Sequence, residues 1–177
     1  MKKSNLLSRI TQIVLMLVLC TSVSCQLEKA NTKAEEEKKA LSVRAFEIWS
    51  EGNYALLDEL YSPDIVRHEV NIHEDIVGTK EYKDNVSLVR TTYPDFNVTA
   101  DELFVKDDLV VLRWTVTGTH TGYRGDLPAT GKRVQFSGIN INRVIDGKIV
   151  EEWVYFNMAD VLKQLGYTFN HPSIEDK

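Results

Sequence analysis

Two polar side chains, Glu151 and Asn157, stand among large apolar ones in the segment Gly147–Gly166, and of these the carboxylate could exchange protons. The segment reads as a strand that leads directly into a short helix. Because side chains on a strand alternate between its two faces, one face is expected to carry Ile149, Glu151, Trp153, Tyr155 and Asn157. Polar groups set among aromatic ones are typical of the wall of a small-molecule pocket. We therefore expect this face to line a cavity.

The groups that could carry the proton are His68, His120 and Glu151. Imidazole and carboxylate groups exchange protons near neutral pH, whereas the carboxamide of Asn157 offers only hydrogen bonds. Glu151 would act as the base if it is enclosed beside Trp153. The alternative is an ion pair between Glu151 and Arg143 or Arg113 on neighbouring strands, because a buried carboxylate usually has a partner.

The two histidines lie on the apolar sides of their predicted strands, and His120 shares its face with Trp114 and Val116. Such a histidine either contacts the ligand or is a hydrogen-bonded core residue, and both alternatives stay open for each. The remaining histidines, His73 and His171, lie in loop-like sequence without the carboxylate–histidine spacing of a zinc site. No metal is therefore expected.

Asn157 has a structural alternative to a place in the pocket. It directly precedes a predicted helix over residues 158–165, and Asp160 follows three residues later, as in a capping box. The carboxamide would then accept a hydrogen bond from the first turn of that helix. Capping and ligand contact are compatible with each other.

Ligand contacts are expected from Trp114, Trp153, Tyr155, Asn157 and Arg143. The aromatic side chains supply apolar surface, although for Trp114 a place in the core is the alternative. The segment 121–133 is long for a hairpin connection and contains three glycines, so it is a candidate lid. Tyr123 or Arg124 could close over a ligand there.

The elements that must position these residues fall into two groups along the chain. Helical periodicity predicts three helices in the first half, over residues 34–49, 54–61 and 78–93. Alternation predicts one strand at 65–70 and then a meander of four, over 96–106, 109–122, 132–145 and 148–157. Helices at one end of a chain and strands at the other predict an α+β fold with a mostly antiparallel sheet.

Several short motifs, taken in their order, resemble the SnoaL-like polyketide cyclase (ester cyclase) family, which has the cone-shaped nuclear transport factor 2-like fold. They include Tyr93-Pro94-Asp95-Phe96, Gly118-Thr119-His120-Thr121-Gly122, Asp146-Gly147-Lys148-Ile149, Glu151 with Trp153, and Gln164-Leu165-Gly166. The resemblance implies three N-terminal helices packed on a curved, mostly antiparallel sheet, followed by a short C-terminal helix. It also implies a pocket, in which the family's cyclases usually carry an acid/base aspartate where this chain has Asn157.

Two functional hypotheses follow. The first is an enzyme that transfers protons without a cofactor, in an isomerisation, cyclisation or dehydration, with His68, His120 or Glu151 as base and Asn157 as hydrogen-bond donor. The second is a non-catalytic module that binds a ligand or a partner protein and has lost the family's aspartate. The sequence has no glycine-rich phosphate loop, nucleophile elbow or nucleotide fingerprint, so no cofactor is expected.

Residues 1–24 read as an export signal, in which Lys2, Lys3 and Arg9 precede an apolar run that is too short to span a bilayer. The run ends in small residues and Cys25, in the pattern Ser-Val-Ser-Cys of a bacterial lipobox. Lipidation at Cys25 would make the protein a membrane-anchored lipoprotein of the bacterial cell envelope. The alternative is a secreted or periplasmic protein.

Beyond the signal, residues 25–38 are expected to form a polar tether, residues 39–166 one domain, and residues 167–177 a polar tail. Residues 1–24 carry three basic and no acidic side chains, so the rest carries 18 basic against 26 acidic ones, a net charge of −8. Such an acidic surface argues against binding to nucleic acid. It also argues against direct binding to anionic lipid, so the lipid at Cys25 is the expected membrane anchor. The expected partner is a small organic molecule, and the resemblance also suggests a homodimer.

Overall fold

The computed structural model describes residues 31–71, 74–123 and 127–169. The predicted export signal and Cys25 lie outside the described residues, as does most of the predicted tail. Within the described part of the chain, no helix is both long enough and apolar enough to cross a bilayer.

The chain divides into two compact units between Glu37 and Lys38. Of the first unit, residues 31–37 are described and are helical, although they belong to the segment predicted as a tether. All the remaining elements belong to the second unit.

The helices of the second unit are α1 (38–44), α2 (Phe46–Glu51), α3 (Ala55–Leu60), α4 (Gly78–Thr92) and α5 (Met158–Leu165). A turn at Ala45 interrupts the single helix predicted over residues 34–49. Gly52 ends α2 with a left-handed conformation, at φ 73°, and its N–H bonds to the carbonyl of Ile48. Glycine adopts this conformation without steric cost, which is why it terminates helices so often.

The strands are β1 (Tyr61–Glu69), β2 (Ile76–Val77), β3 (Asn97–Lys106), β4 (Leu109–Thr119), β5 (Arg133–Ile145) and β6 (Lys148–Phe156). They form one sheet in the order β2-β1-β6-β5-β4-β3, in which β1 and β6 are parallel and all other neighbours antiparallel. The predicted α+β fold with a mostly antiparallel sheet is confirmed. The two-residue strand β2 is too short to show alternation, so the sequence did not predict it.

An extra residue interrupts the pairing of β5 with β6. Arg143 pairs with Glu151, but the next residue of β5, Val144, pairs with Ile149, so Val150 has no partner. Such a β-bulge bends the strand, increases its twist and shifts the alternation of side chains by one position beyond it.

The core lies between the helices and one face of the sheet, which we call the inner face; the opposite face is the outer face. Fully buried helix residues such as Ile48, Tyr82 and Val86 pack with strand residues such as Ile65 and Leu112. The side chains that surround the remaining space between the helices and the inner face form the candidate site.

Candidate functional site

The bulge at Val150 reverses which side chains of β6 face the helices. Beyond it, Glu152 and Val154 are the buried residues, each 2% exposed. Glu151, Trp153 and Tyr155 therefore lie on the outer face. The prediction that these three line the cavity is wrong, because the alternation of side chains does not continue unchanged across a bulge.

A cavity of about 90 Å³ lies between the helices and the inner face of the sheet. Phe46, Trp49, Asn85 and Val89 of α2 and α4 form part of its helix side. The apolar part of the sheet side consists of three valines and three aromatic residues: Val98, Val116, Val154, Trp114, Phe136 and Phe156. An apolar cavity of about 150 Å³ accommodates benzene. The present one therefore suits a guest of a few heavy atoms or the end of a larger one.

Trp114 is the one predicted ligand contact that lies in the cavity wall. A Cβ atom at Gly138 on the adjacent strand would lie 2.4 Å from two ring atoms of Trp114, so glycine lets the indole lie against the backbone of β5. The indole N–H donates to Asn140 Oδ1 over 2.8 Å. Its role as a ligand contact stays a prediction.

The charged end of the cavity consists of Arg67 and Glu69, two inner-face residues of β1. Their side chains are only 7% and 8% exposed, and Arg67 Nη2 donates to Glu69 Oε2 over 3.2 Å. Among the described residues, Arg67 Nε has no hydrogen-bond partner. In the described residues, one buried donor of Arg67 and most of the acceptor capacity of Glu69 therefore have no protein partner.

A second carboxylate, that of Glu152, holds the Arg67 side chain in place. Its Oε2 accepts hydrogen bonds from Arg67 Nη1 and, over 3.1 Å, from the hydroxyl of Tyr82, and its Oε1 accepts one from Asn140 Nδ2 over 2.7 Å. The guanidinium also lies 4.7 Å from the ring centre of Trp49. These contacts fix the position of Arg67 and so orient the charged end of the cavity.

Burial and neighbouring charges shift the pKa values of this cluster in consistent directions. Desolvation acts to lower the pKa of Arg67, but Glu152, Tyr82 and Glu69 outweigh it and raise the pKa above its ordinary value. Desolvation, followed by the charge of Glu152, raises the pKa of Tyr82. Arg67 is therefore a permanent cation and Tyr82 a neutral hydrogen-bond donor.

The two catalytic candidates His68 and Glu151 meet on the outer face rather than in the cavity. His68 Nε2 lies 3.1 Å from Glu151 Oε1, and His68 Nδ1 lies 2.8 Å from Asp75 Oδ1. Arg143 Nε donates to Glu151 Oε2 over 3.1 Å, so the ion pair of these residues is confirmed. Trp153 stacks on His68 with ring centres 5.4 Å apart. The expectation that Arg143 and Trp153 face the cavity is wrong. Trp153 lies beyond the bulge, and Arg143 lies on the outer face of β5, where the buried residues are Asn140, Asn142 and Val144.

Asn157 caps α5, as the capping alternative predicted. Its Oδ1 accepts a hydrogen bond from the backbone N–H of Asp160 over 3.2 Å. The side chain is exposed and, with Tyr155, borders a shallow groove on the outer side of the sheet. Neither residue lies in the wall of the interior cavity.

His120 is buried, as its apolar face predicted, but it lies behind the cavity wall rather than in it. Its ring is 5.3 Å from that of Tyr93, a wall residue, and its Nδ1 accepts a hydrogen bond from the backbone N–H of Thr130 over 3.2 Å. This is the hydrogen-bonded core histidine of the second alternative.

The sequence prediction missed the polar residues of the site, which are Arg67, Glu69, Asn85, Asn140 and Glu152. One signal in the sequence could have found two of them, since Arg67 and Glu69 share an alternating face with Ile65. Charged residues at alternate positions beside an apolar one indicate a partly polar interior. Val66 and Val70 are also apolar but lie on the other face of β1. They favoured the wrong expectation that this other face, with His68, points to the interior.

In the described ranges no group of three or more histidine, cysteine, aspartate and glutamate side chains could hold a metal ion. Of the predicted lid residues, Tyr123 is 70% exposed and Arg124 lies outside the described residues. Whether segment 121–133 closes over a ligand stays a prediction.

Comparison with known proteins gives both a family and a fold. Residues 40–165 match the sequence model of the family described as SnoaL-like polyketide cyclase. No curated protein matches the sequence.

Solved structures share the architecture. AclR from Streptomyces galilaeus, described as a proposed hydroxylase, is 28% identical, with a TM-score of 0.67 over 79% of this chain and 87% of its own. IdmH from Streptomyces antibioticus, described as a proposed polyketide cyclase, is 26% identical, with a TM-score of 0.65 over 73% of this chain and 99% of its own. A proposed SnoaL-like polyketide cyclase from Jannaschia has a TM-score of 0.70 at 18% identity, over 76% and 94% of the two chains, and supports the fold alone.

Proposed function

The chain belongs to the SnoaL-like polyketide cyclase family, and from this premise we propose that it binds a small organic carbonyl compound in the cavity and exchanges a proton with it at Glu69. The proposal depends on one observation: the apolar cavity ends in Arg67 and Glu69, whose side chains are more than nine-tenths buried. A pocket with apolar walls and few polar groups is the usual form of a small-molecule site. The description of IdmH as a proposed polyketide cyclase supports this class of reaction.

The proposed step needs no cofactor. The carboxylate of Glu69 takes a proton from the carbon next to the carbonyl, and the electron pair of that C–H bond moves toward the carbonyl oxygen. Arg67 then stabilises the enolate oxygen by donating from Nε, which has no partner among the described residues. Return of the proton to another atom of the ligand completes an isomerisation. In a cyclisation, the enolate carbon instead attacks a second carbonyl, and the oxygen of that carbonyl takes the proton back from Glu69.

Deuterium exchange tests the proposal. The exchange of solvent deuterium into cyclopentanone, a small ketone with acidic α-hydrogens, is followed by proton NMR. Glu69→Gln keeps the size of the side chain and removes the base, so the exchange rate is expected to fall to that of buffer. Glu151→Gln on the outer face is the matched control and should keep the wild-type rate. Equal rates in wild type and Glu69→Gln would contradict the proposal.

A second candidate function, binding without turnover, is favoured by Asn157. The family resemblance places an acid/base aspartate there, whereas this chain has a carboxamide that caps α5 outside the cavity. The protein would then hold its ligand unchanged. Native mass spectrometry of the purified protein would identify a retained molecule. Binding of cyclopentanone without deuterium exchange would favour this function over the first.

Export and lipid anchoring are further parts of the proposal, and they are supported by the sequence alone. We propose a signal peptide over residues 1–24, lipidation at Cys25, a tether to residue 38, the domain at 39–166 and a polar tail. Cells that express the full chain are labelled with radioactive palmitate and fractionated. Label in the membrane fraction that disappears in Cys25→Ser is the expected result, and unlabelled wild-type protein would contradict it.

A homodimer through the outer face is the remaining element of the proposal. Ile139 and Tyr155 leave apolar surface exposed there, at 42% and 47% of their full areas. Light scattering coupled to size-exclusion chromatography measures the mass in solution. Tyr155→Lys should reduce a dimer to monomers, and a monomeric wild-type protein would contradict this element.

A further inference from the structure

We propose that Arg67 and Glu69 together recognise a neutral O=C–N–H edge, as in primary carboxamides and lactams, and reject carboxylate anions. This inference rests on the proposed binding function of the cavity and names the ligand chemistry that its charged end selects. It concerns recognition, and it does not require that the ligand be turned over.

The donor half of the recognition site is Arg67 Nε. Nη1 of the same guanidinium bonds to Glu152 and Nη2 bonds to Glu69, while Nε has no partner among the described residues. Because Nε–H and one Nη–H lie on the same edge of the planar group, the unused donor is next to the contact with Glu69. A buried donor without an acceptor is costly, so an acceptor oxygen of a ligand is favoured at this place.

The acceptor half is the carboxylate of Glu69. It has about four lone-pair sites, and in the described part of the chain only one hydrogen bond, from Arg67 Nη2, reaches it. The side chain lies in the cavity wall and is 8% exposed, so water competes little for the remaining sites. A ligand that presents its acceptor and its donor on neighbouring atoms can engage both halves at once.

The net charge of the cluster determines which ligand charge the cavity accepts. One guanidinium, of Arg67, stands beside the two carboxylates of Glu69 and Glu152, all of them at least nine-tenths buried. Their formal sum is one negative charge. A carboxylate ligand would add a second negative charge and would place its oxygens against those of Glu69, which is strongly unfavourable in an apolar cavity. A neutral amide adds no charge.

A lactam and the lactone of the same ring size test the inference in the wild-type protein. The rings of 2-pyrrolidinone and γ-butyrolactone carry the same carbonyl, but the N–H of the first is a ring oxygen in the second. Dissociation constants come from backbone amide shifts in NMR titrations. Since a hydrogen bond to a charged group is worth roughly tenfold or more in affinity, the lactam is expected to bind at least about tenfold more tightly. Butanoate is expected to bind more weakly than either.

The outcomes separate the inference from the proposed function. Equal affinities for lactam and lactone, or the tightest binding for butanoate, would overturn the inference and leave a binding cavity in place. No response to any of these compounds, nor to xenon as an apolar probe of the cavity, would overturn both.

Two variants test whether Glu69 causes the preference for the lactam. Glu69→Gln replaces a group that only accepts with one that also donates, so the lactam-to-lactone affinity ratio is expected to fall to near one. Glu151→Gln changes the same residue type on the outer face and should keep the wild-type ratio. An unchanged ratio in Glu69→Gln would overturn the inference. The comparison in the wild-type protein decides the question if that variant fails to fold.

Discussion

Replacing Glu152 with alanine is expected to destabilise the domain far more than the same change at its neighbour Glu151. The two residues are adjacent in β6 and chemically identical, but the bulge at Val150 places Glu152 on the inner face and Glu151 on the outer face. Their side chains are 2% and 31% exposed. The pair therefore tests the register of the strand on which the site depends.

The magnitude follows from the partners that each substitution leaves behind. Without Glu152, Arg67 keeps a single carboxylate partner, and Tyr82 and Asn140 each lose the acceptor of a buried hydrogen bond. Breaking a buried ion pair by removing one member costs about 3–5 kcal/mol. Loss of a half-exposed ion pair such as that of Glu151 costs about 0–1 kcal/mol.

Urea unfolding followed by circular dichroism measures both variants. Glu152→Ala should lower the midpoint concentration of urea at an unchanged slope, and its melting temperature should fall by roughly 6–20 °C, from about 2–4 °C per kcal/mol for a chain of this size. Glu151→Ala should stay within roughly 4 °C of wild type. Equal losses in the two variants, or a larger loss for Glu151→Ala, would refute the assignment of faces in β6.

Three further outcomes are expected. Gly138→Ala would place a Cβ atom 2.4 Å from ring atoms of Trp114. It should lower the free energy of unfolding by about 1–3 kcal/mol and shift the indole N–H signal of Trp114 in NMR spectra. An unshifted signal would contradict this. Asn157→Ala should cost about 1 kcal/mol of unfolding free energy in urea, because the cap of α5 is lost, whereas Asn157→Asp should keep the cap; equal losses would contradict it. Partial burial lowers the pKa of His68, but the adjacent carboxylates of Asp75 and Glu151 raise it overall. The stability that the imidazolium adds should therefore be present in acid and disappear as the pH rises through the folded-state pKa. The difference between the urea midpoints of wild type and His68→Gln should become smaller at alkaline pH, and a difference that does not change with pH would contradict this.

The parts of the fold that depend on local chemistry could be predicted from the sequence. Asp146 and Gly147 turn the β5–β6 hairpin with φ of 50° and 72°, values that suit these residue types. Gly52 ends α2 and Asn157 caps α5 by contacts within a few residues. Such signals fix the order and type of the elements.

The site could not be predicted in the same way because it depends on pairing between strands. Val150 resembles any other strand residue, and only the register with β5 shows that it is a bulge. Glu152 is compatible with the interior because Arg67, distant in sequence, lies on the neighbouring strand and neutralises it. The alternation of residue types along β6 alone reveals neither the bulge nor the partner of Glu152.

The three tryptophans of the chain provide the most direct test of where the ligand binds. Trp49 and Trp114 line the interior cavity, while Trp153 lies on the outer face. Indole N–H signals of ¹⁵N-labelled protein, assigned with Trp→Phe variants, are recorded during titration with 2-pyrrolidinone. Shifts of the Trp49 and Trp114 signals with an unmoved Trp153 signal are the expected result. A shift of Trp153 alone would place the ligand on the outer face and contradict the interior site.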